Sequence, residues 1–191
     1  DLASAHEKLQ KFDKTLYVYI TANKANFNFE SVPEKYKALA GENNERAVDC
    51  FRENIQKTDV PYFISADIKD ELEYPAFYTT GIHWSRTFEQ KVSERVIADI
   101  ADIAGKNYRN IILGEVKASS APFWRDTDVF DLLNVWNEPE CTYYEYVAER
   151  EDFEGYDEIR WLVQGDSFAQ GLRKDILDLY PFEEFYYINY D

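Results

Sequence analysis

The feature that most constrains the fold is a long amphipathic segment in the middle of the chain. Between positions 85 and 106, the sequence SRTFEQKVSERVIADIADIAGK places apolar residues at spacings of four, four, four and three, namely at Phe88, Val92, Val96, Ile100 and Ile103. This spacing puts the apolar side chains on one face of an α-helix. Gly105 is suited to end the helix, because glycine adopts a left-handed conformation without steric cost.

Strand patterns lie on both sides of this helix. Aromatic and β-branched runs predict strands at 16–22, 61–68, 75–84, 110–118, 142–149, 158–164 and 184–189. Further helical patterns lie at 2–14, 33–57, 124–136 and 167–180. We therefore predict an α+β fold with a mostly antiparallel sheet, a mixed sheet being the alternative, and with helices packed on one face.

The only candidate for a domain boundary in the sequence is a shift in charge near Asn137, which we interpret as two faces of one domain. The chain has no repeat of solenoid period, no low-complexity tract and no linker rich in proline and glycine. We therefore predict a single domain over 1–191, with an acidic, aromatic-rich face contributed by about 137–191.

The charge of the chain is strongly acidic and unevenly distributed. There are 37 acidic and 21 basic residues, for a formal net charge of −16, and 15 acidic but only four basic residues lie in 137–191. A field of this sign repels nucleic-acid phosphates and anionic membranes, and it attracts basic surfaces. We expect no direct binding to nucleic acid or membrane, and a basic protein as partner.

Aromatic residues accompany the acidic ones, as in the segment ECTYYEYVAEREDFEGYDEIRW. Alternation along a strand at 142–149 places Glu145 and Glu149 on the same face. Tyrosine supplies contact area at low rotamer cost, and ordered carboxylates can imitate successive phosphates. The residues expected to contact the partner are Glu145, Glu149, Glu151, Asp152, Glu154, Tyr156, Asp157 and Glu158.

These features favour an interaction protein that inhibits a basic, nucleic-acid-acting enzyme by mimicking DNA phosphates. Antirestriction, anti-CRISPR and immunity proteins are of this chemical type. This is an analogy and not a resemblance in sequence. A solvated acidic face that keeps an aromatic-rich chain in solution explains the same residues. Neither hypothesis requires a cofactor.

The segment IILGEVKAS (111–119) suggests a second function. An apolar run, Glu115, one apolar residue and Lys117 resemble the PD-(D/E)xK nuclease superfamily. The resemblance implies a strand whose carboxylate holds Mg²⁺ or Mn²⁺ to activate water, while the lysine stabilises the developing charge. The alternative interpretation is that Glu115 and Lys117 lie at the end of a strand and face water.

A nuclease of this kind needs a further aspartate on a neighbouring strand. The candidates are Asp99 and Asp102, with Glu89 as the carboxylate of a preceding helix, and the metal would lie between Asp102 and Glu115. Asp102 faces Glu115 only if 95–103 is a strand, whereas the apolar spacing in that range is helical and turns Asp99 and Asp102 largely toward solvent.

His83 is one of two histidines and lies in GIHWSR, just before the central helix. Ser85 or Thr87 can cap that helix. No G-x-S-x-G pattern accompanies the nearby serine, and a catalytic triad is recognised by geometry rather than by spacing. The sequence therefore favours a structural histidine at the end of a strand.

Two further patterns bear on the compartment of the protein. Cys50 and Cys141 are 91 positions apart with no CxxC spacing, which predicts reduced, buried thiols. No stretch approaches the ~18 apolar residues of a membrane span. Together these patterns predict a soluble, cytoplasmic protein.

Overall fold

The computed structural model of the protein describes residues 1–40, 46–108, 113–123, 125–133, 137, 139–149 and 154–189. The chain forms two compact units, unit 1 (Asp1–Lys69) and unit 2 (Asp70–Asp191). Each unit has its own helices and strands, and the 3₁₀ segment Ser65–Glu71 spans the sequence boundary between them.

Unit 1 is built from short elements. They are α1 (Leu2–Gln10), β1 (Val18–Ile20), α2 (Lys24–Phe27), the 3₁₀ turn Phe29–Ser31, α3 (Glu34–Lys37), the 3₁₀ turn Ala38–Ala40, α4 (Ala47–Ile55) and β2 (Tyr62–Ile64). β1 and β2 are parallel, with Val18 opposite Tyr62. The buried hydroxyl of Ser65 accepts the N–H of Ala22 at 2.7 Å and so joins the chain after β1 to the chain after β2.

The continuous helix predicted over 33–57 is wrong. α3 ends at Lys37, and α4 begins only at Ala47. Tyr36 and Leu39 are 55% and 81% exposed. Because burial of an apolar face supplies most of the stability of a helix, this region has little to hold a long helix together.

Unit 2 carries the longer elements. They are α5 (Arg86–Ala104), β3 (Leu113–Ser119), α6 (Asp128–Leu133), β4 (Tyr143–Ala148), β5 (Ile159–Gly165), α7 (Ala169–Leu179) and β6 (Phe182–Asn189). β3 and β4 are antiparallel, with Lys117 opposite Glu145. β5 and β6 are parallel, with Trp161 opposite Phe185. α7 connects these two strands and is the crossover that parallel pairing requires.

The structure confirms an α+β fold and corrects the expected strand pairing. Among the described residues, β1 with β2 and β5 with β6 pair in parallel, and β3 with β4 pairs in antiparallel fashion. The sheets are short and mixed rather than mostly antiparallel. β5 and β6 can pair in parallel because α7, which connects them, returns the chain to the end of the sheet at which β5 began.

The central helix is confirmed as α5. Its first turn is capped by Ser85, whose Oγ accepts the N–H of Phe88 at 3.3 Å, and its end lies at Gly105 with φ 61°. The apolar stripe is buried in the first turns, but Ile103 is 45% exposed and Ile97 is fully buried instead. The buried face of α5 therefore includes Ile97, which the predicted stripe omitted, and excludes Ile103, which the predicted stripe included.

The strand predicted at 75–84 is also wrong, because this segment has an irregular backbone. Phe77, Tyr78 and Trp84 are nevertheless at least 90% buried. These aromatic side chains therefore pack inside a buried loop. A buried loop and a strand can have the same pattern of apolar residues, so the pattern did not distinguish them.

Two observations bear on the predicted compartment. None of the described helices is long and apolar enough to cross a membrane. Cys50 and Cys141 are free thiols, and Cys50 is exposed rather than buried.

Candidate active site

A sharp turn between β5 and α7 carries Ser167. β5 ends at Gly165, where a Cβ would lie 2.6 Å from the Cβ of Ala169, so only glycine allows the chain to turn this tightly. Asp166 closes the turn, because its Oδ1 accepts the N–H of Phe168 at 3.0 Å and its carbonyl oxygen accepts the N–H of Ala169 at 3.0 Å. Ser167 is thereby held, half-buried, just before α7.

His83 reaches this serine from the segment that precedes α5. Its Nε2 lies 2.8 Å from the Oγ of Ser167. The imidazole side chain is 15% exposed, and its ring packs on the ring of Phe168 with 4.7 Å between centroids. The hydroxyl and the imidazole therefore form a hydrogen-bonded pair that is shielded from most of the solvent.

The other ring nitrogen of His83 meets Asp128, the first residue of α6. Oδ2 of Asp128 is hydrogen-bonded to Nδ1 of His83, and Oδ1 accepts the backbone N–H of Ile82 at 2.8 Å. A proton on Nδ1 that is donated to the carboxylate leaves the lone pair of Nε2 to accept the hydroxyl proton of Ser167. This is the tautomer that a general base requires.

Gly81 makes room for this carboxylate. A Cβ at Gly81 would lie 2.8 Å from the carbonyl oxygen of Asp126 and 3.0 Å from Oδ1 of Asp128. Nearby, the hydroxyl of Thr80 donates to the carbonyl oxygen of Asp126 at 2.7 Å, and the N–H of Phe130 donates to the carbonyl oxygen of Thr80 at 3.2 Å. The start of α6 is thus fastened directly to the backbone that carries His83.

A cationic side chain lies against the same two residues. Nη1 of Arg125 is 3.2 Å from Nε2 of His83 and 3.2 Å from the carbonyl oxygen of Ser167. Nη2 donates a hydrogen bond to Oε1 of Gln170, in the first turn of α7. The guanidinium is therefore held from two sides with one N–H group next to the serine and histidine pair.

A buried ion cluster ties α5 to α7 behind the site. Arg86 is 4% exposed and donates to Oδ1 of Asp175 at 2.5 Å, to the carboxylate of Glu89, and to Oε1 of Glu145 at 3.4 Å. Burial alone lowers the pKa of Arg86, but the charges of Asp175 and Glu89 raise this pKa above its ordinary value. Each buried charge therefore depends on its partners.

The ion cluster fits against α7 only because Gly171 has no side chain. A Cβ at Gly171 would lie 1.8 Å from Cδ of Glu89. The indole N–H of Trp84 donates to Oε2 of Glu89 at 3.2 Å, and burial raises the pKa of Glu89 against the opposing charge of Arg86. Because α5 and α7 approach this closely near their starts, the residues just before them, His83 and Ser167, also meet.

The residues of the predicted acidic face have different environments. Glu149, Glu154 and Glu158 are exposed, Glu145, Tyr156 and Asp157 are half-buried, and Glu151 and Asp152 lie outside the described residues. Glu145 contacts Arg86 in the ion cluster, and Oδ2 of Asp157 accepts the N–H of Asn107 at 2.7 Å. These two carboxylates therefore also have contacts within the chain.

The residues of the predicted nuclease lie on the strand β3 and on the helix α5. Glu115 and Lys117 are exposed on β3, whereas 95–103 is part of the helix α5 and not a strand. On α5, Asp102 is exposed, Asp99 accepts a hydrogen bond from Nε of Arg95 at 2.8 Å, and Glu89 belongs to the ion cluster. In the part of the chain that is described, no group of three or more His, Cys, Asp or Glu side chains could hold a metal ion.

Three residues of the site were not found from the sequence: Ser167, Asp128 and Arg125. A signal for Ser167 exists, because it follows Gly165 between the strand predicted at 158–164 and the helix predicted at 167–180. In α/β-hydrolases, a sharp strand-to-helix turn exposes the nucleophilic serine. Asp128 and Arg125 have no such signal, since only the tertiary fold brings them to His83.

Comparisons with known proteins concern the fold. A comparison of the sequence with protein-family models gives no match, and a comparison with curated proteins gives none either. Among solved structures, the chain is similar to the O-acetyltransferase domain of Pseudomonas putida AlgJ, with a TM-score of 0.58 and 14% sequence identity. The likeness covers 99% of this chain and 68% of that chain. At this identity it shows a shared fold.

Proposed function

We propose that unit 2 is a serine-dependent acyl-transfer enzyme. Ser167 is the nucleophile, His83 is the general base, and Asp128 orients His83. The observation that carries this proposal is the unbroken hydrogen-bonded chain from Oγ of Ser167 to Nε2 of His83 and from Nδ1 of His83 to Oδ2 of Asp128. A serine hydroxyl is a weak nucleophile until an adjacent base removes its proton, and this constellation supplies the base and its orienting group on unrelated folds.

The first half of the reaction forms an acyl-enzyme. Oγ of Ser167 attacks the carbonyl carbon of an ester while Nε2 of His83 takes the hydroxyl proton. The new C–O bond produces a tetrahedral intermediate whose negative charge lies on the former carbonyl oxygen. When the bond to the leaving alcohol breaks, Nε2 returns the proton to that alcohol, and the acyl group remains on Ser167.

The second half transfers the acyl group to an acceptor. A hydroxyl group or water gives its proton to Nε2 of His83 and attacks the acyl carbon. The bond to Oγ then breaks, and Oγ recovers the proton from His83. An alcohol acceptor makes the protein an O-acyltransferase, and water makes it an esterase.

The nature of the acyl group is suggested by the structural likeness. The similar domain of AlgJ is described as an O-acetyltransferase. Acetyl transfer between oxygens uses the two half-reactions described above, so an acetyl ester is the donor that we propose for this chain. A likeness in fold alone does not carry the activity, which rests on the geometry of Ser167, His83 and Asp128.

The test is acylation of the purified chain by a chromogenic acetyl ester. We expect a burst of released alcohol and an increase in protein mass by one acetyl group on the peptide that contains Ser167. A fluorophosphonate probe should also label Ser167, because Oγ displaces fluoride from phosphorus. Ser167→Ala should abolish burst and labelling and lower kcat by about 10³-fold or more.

Ser120→Ala is the matched control, since Ser120 is an exposed serine of the same unit. It should retain full burst and labelling. Acetylation or labelling of the Ser167→Ala variant at the wild-type level would contradict the proposal, and so would a wild-type protein that reacts with neither reagent.

The interaction function inferred from charge remains a separate prediction. The net charge of −16 and the exposed Glu149, Glu154 and Glu158 support it. Reversing these three charges to lysine should weaken binding to a basic protein and reduce the dependence of the affinity on salt. Unchanged affinity and salt dependence would remove the support.

The nuclease function also remains a prediction. Incubation of the protein with DNA and RNA in Mg²⁺ or Mn²⁺ tests it, beside the double variant Glu115→Ala, Lys117→Ala. Cleavage by the wild type and not by this variant would support the nuclease, and the absence of cleavage by either protein would count against it.

A further inference from the structure

The tetrahedral intermediate of acyl transfer needs a hydrogen-bond donor for its oxyanion. In a strand-to-helix turn that carries a nucleophile, the N–H that follows the nucleophile is one usual donor. Here the N–H of Phe168 is already donated to Oδ1 of Asp166 at 3.0 Å. The amides of Ala169 and Gln170 donate to the carbonyl oxygens of Asp166, at 3.0 Å, and of Ser167, at 3.3 Å. The three amides after the nucleophile are thus engaged within the turn.

A stronger donor lies next to the serine and histidine pair. Nη1 of Arg125 is 3.2 Å from Nε2 of His83, the same atom that lies 2.8 Å from Oγ of Ser167. A guanidinium presents several N–H groups in a fixed plane and always carries a positive charge. A charged donor forms hydrogen bonds to an anion that are about twice as strong as those of a neutral donor.

We propose that Arg125 is the catalytic residue that binds the oxyanion in this site. The inference rests on the proposed acyl-transfer function of Ser167 and deepens it. The oxyanion forms two bonds away from Oγ, and Nη1 of Arg125 contacts both the carbonyl oxygen of Ser167 and the Nε2 atom that contacts Oγ. The positive charge of Arg125 offsets the negative charge of the intermediate while His83 carries the proton from Ser167.

The contact of Arg125 with His83 also explains how substrate engages it. Nε2 of His83 has a single lone pair, which the hydroxyl of Ser167 needs in order to give up its proton. An acyl oxygen next to Oγ offers Nη1 a better acceptor, so Nη1 passes from Nε2 to the substrate. No covalent bond changes in this step. The contacts of the guanidinium with Gln170 and with the carbonyl oxygen of Ser167 hold it in place throughout.

The test compares Arg125→Gln and Arg125→Lys in steady-state hydrolysis of a neutral acetyl ester. Arg125→Gln should lower kcat by about 100-fold, the usual effect of removing one oxyanion donor, and should leave KM within about twofold. Arg125→Lys keeps the charge and should recover about tenfold of that loss. Gln170→Leu, which removes only the contact at Nη2, should have a smaller effect than Arg125→Gln.

A second readout separates oxyanion binding from a merely structural role. An alkylboronic acid forms a bond from boron to Oγ of Ser167 and becomes a tetrahedral anion that resembles the intermediate. Arg125→Gln should weaken inhibition by this acid by at least about tenfold more than it raises KM for the neutral ester. Equal changes in both constants, or unchanged kcat and inhibition, would overturn the proposal.

The two proposals fail in different ways. If the wild type shows neither a burst nor labelling of Ser167, the acyl-transfer function itself is wrong. If the wild type acylates Ser167 and the Arg125 variants equal it in kcat and in boronate inhibition, only the role of Arg125 is wrong. Circular dichroism and a thermal melt of each variant identify any variant that has not folded, and in that case Arg125→Lys and Gln170→Leu carry the comparison.

Discussion

Nε2 of His83 lies 2.8 Å from Oγ of Ser167, although 84 positions of sequence separate the two residues. Each residue stands just before a helix, α5 or α7. The ion pair of Arg86 with Asp175 joins these helices, and the absence of a side chain at Gly171 lets Glu89 approach α7 closely. The relative position of Ser167 and His83 therefore depends on a buried ion cluster that lies behind them.

Asp128→Asn should impair the proposed chemistry while preserving the fold. An amide at this position can donate to Nδ1 of His83 and so favour the tautomer that cannot accept the proton of Ser167. We expect kcat for acetyl ester hydrolysis to fall by about 10³- to 10⁴-fold. The matched control is Asp131→Asn on the same helix, because Asp131 is exposed and its Oδ2 accepts the hydroxyl of Thr127 at 3.3 Å. Equal activity of the two variants would remove Asp128 from the site.

Gly81→Ala should displace the carboxylate that orients His83. The added Cβ meets the backbone oxygen of Asp126 at 2.8 Å and Oδ1 of Asp128 at 3.0 Å, and backbone cannot move away as cheaply as the end of a side chain. We expect a loss of about 1–3 kcal/mol in the free energy of unfolding, and a fall in kcat at a temperature where the variant is still folded. Denaturant titration and ester hydrolysis measure the two effects, and full activity would show that the loop adapts.

Gly171→Ala should separate α5 from α7. Its Cβ would lie 1.8 Å from Cδ of Glu89, so the buried carboxylate of Glu89 must leave Arg86 or the helices must move apart. We expect a loss of about 1–3 kcal/mol in the free energy of unfolding. The same substitution in a Glu89→Ala background should cost clearly less, because the colliding group is gone. Equal costs in both backgrounds, measured by denaturant unfolding, would show that the two residues do not compete for this space.

The stability of unit 2 should fall as the pH rises toward neutrality, because of Asp126. Burial raises the pKa of Asp126 from 3.8 to about 7, and the hydrogen bond from the N–H of Phe123 opposes this only in part. Between these two values the folded state keeps a proton that the unfolded state has lost. The free energy of unfolding therefore decreases with increasing pH across this window.

The variant Asp126→Asn tests this pH dependence. Its amide oxygen can still accept the N–H of Phe123, but it does not titrate. The stability of the wild type relative to the variant should drop by up to about 4 kcal/mol as the pH rises from 4 to 7, since each pKa unit corresponds to about 1.4 kcal/mol. Urea unfolding at several pH values measures the difference, with the exposed Asp131→Asn as control. A difference that is constant with pH would show that Asp126 titrates normally.

Most elements of unit 2 could be predicted from the sequence. The predicted strands at 142–149, 158–164 and 184–189 correspond to β4, β5 and β6, and the predicted helix at 167–180 corresponds to α7. These patterns depend on residues within a few positions of one another, so they are visible without the fold. The pairing of strands depends on the path of the whole chain, so the local patterns did not decide between the mostly antiparallel sheet that we expected and the mixed pairing that was its alternative and is found.

The pattern of hydrophobic residues did not predict which charged residues are buried. Arg86, Glu89 and Asp175 are at least 96% buried, although residues of these types are mostly exposed in proteins. A stripe of apolar residues predicted the buried face of α5 through Phe88, Val92 and Val96, but it did not predict that a charged cluster continues this face. Of the carboxylates that make the burial of Arg86 tolerable, Asp175 comes from α7, far along the chain.

The sequence by itself determined the α+β class, the extent of α5, and the strand and the helix that Ser167 connects, because helical periodicity and strand alternation act over short distances. Only the tertiary structure decided that His83, Asp128, Arg125 and Ser167 form one site. They come from three separate segments, and no local property relates these segments. What joins them is packing, through the absence of a side chain at Gly81 and Gly171 and the pairing of buried charges between α5 and α7.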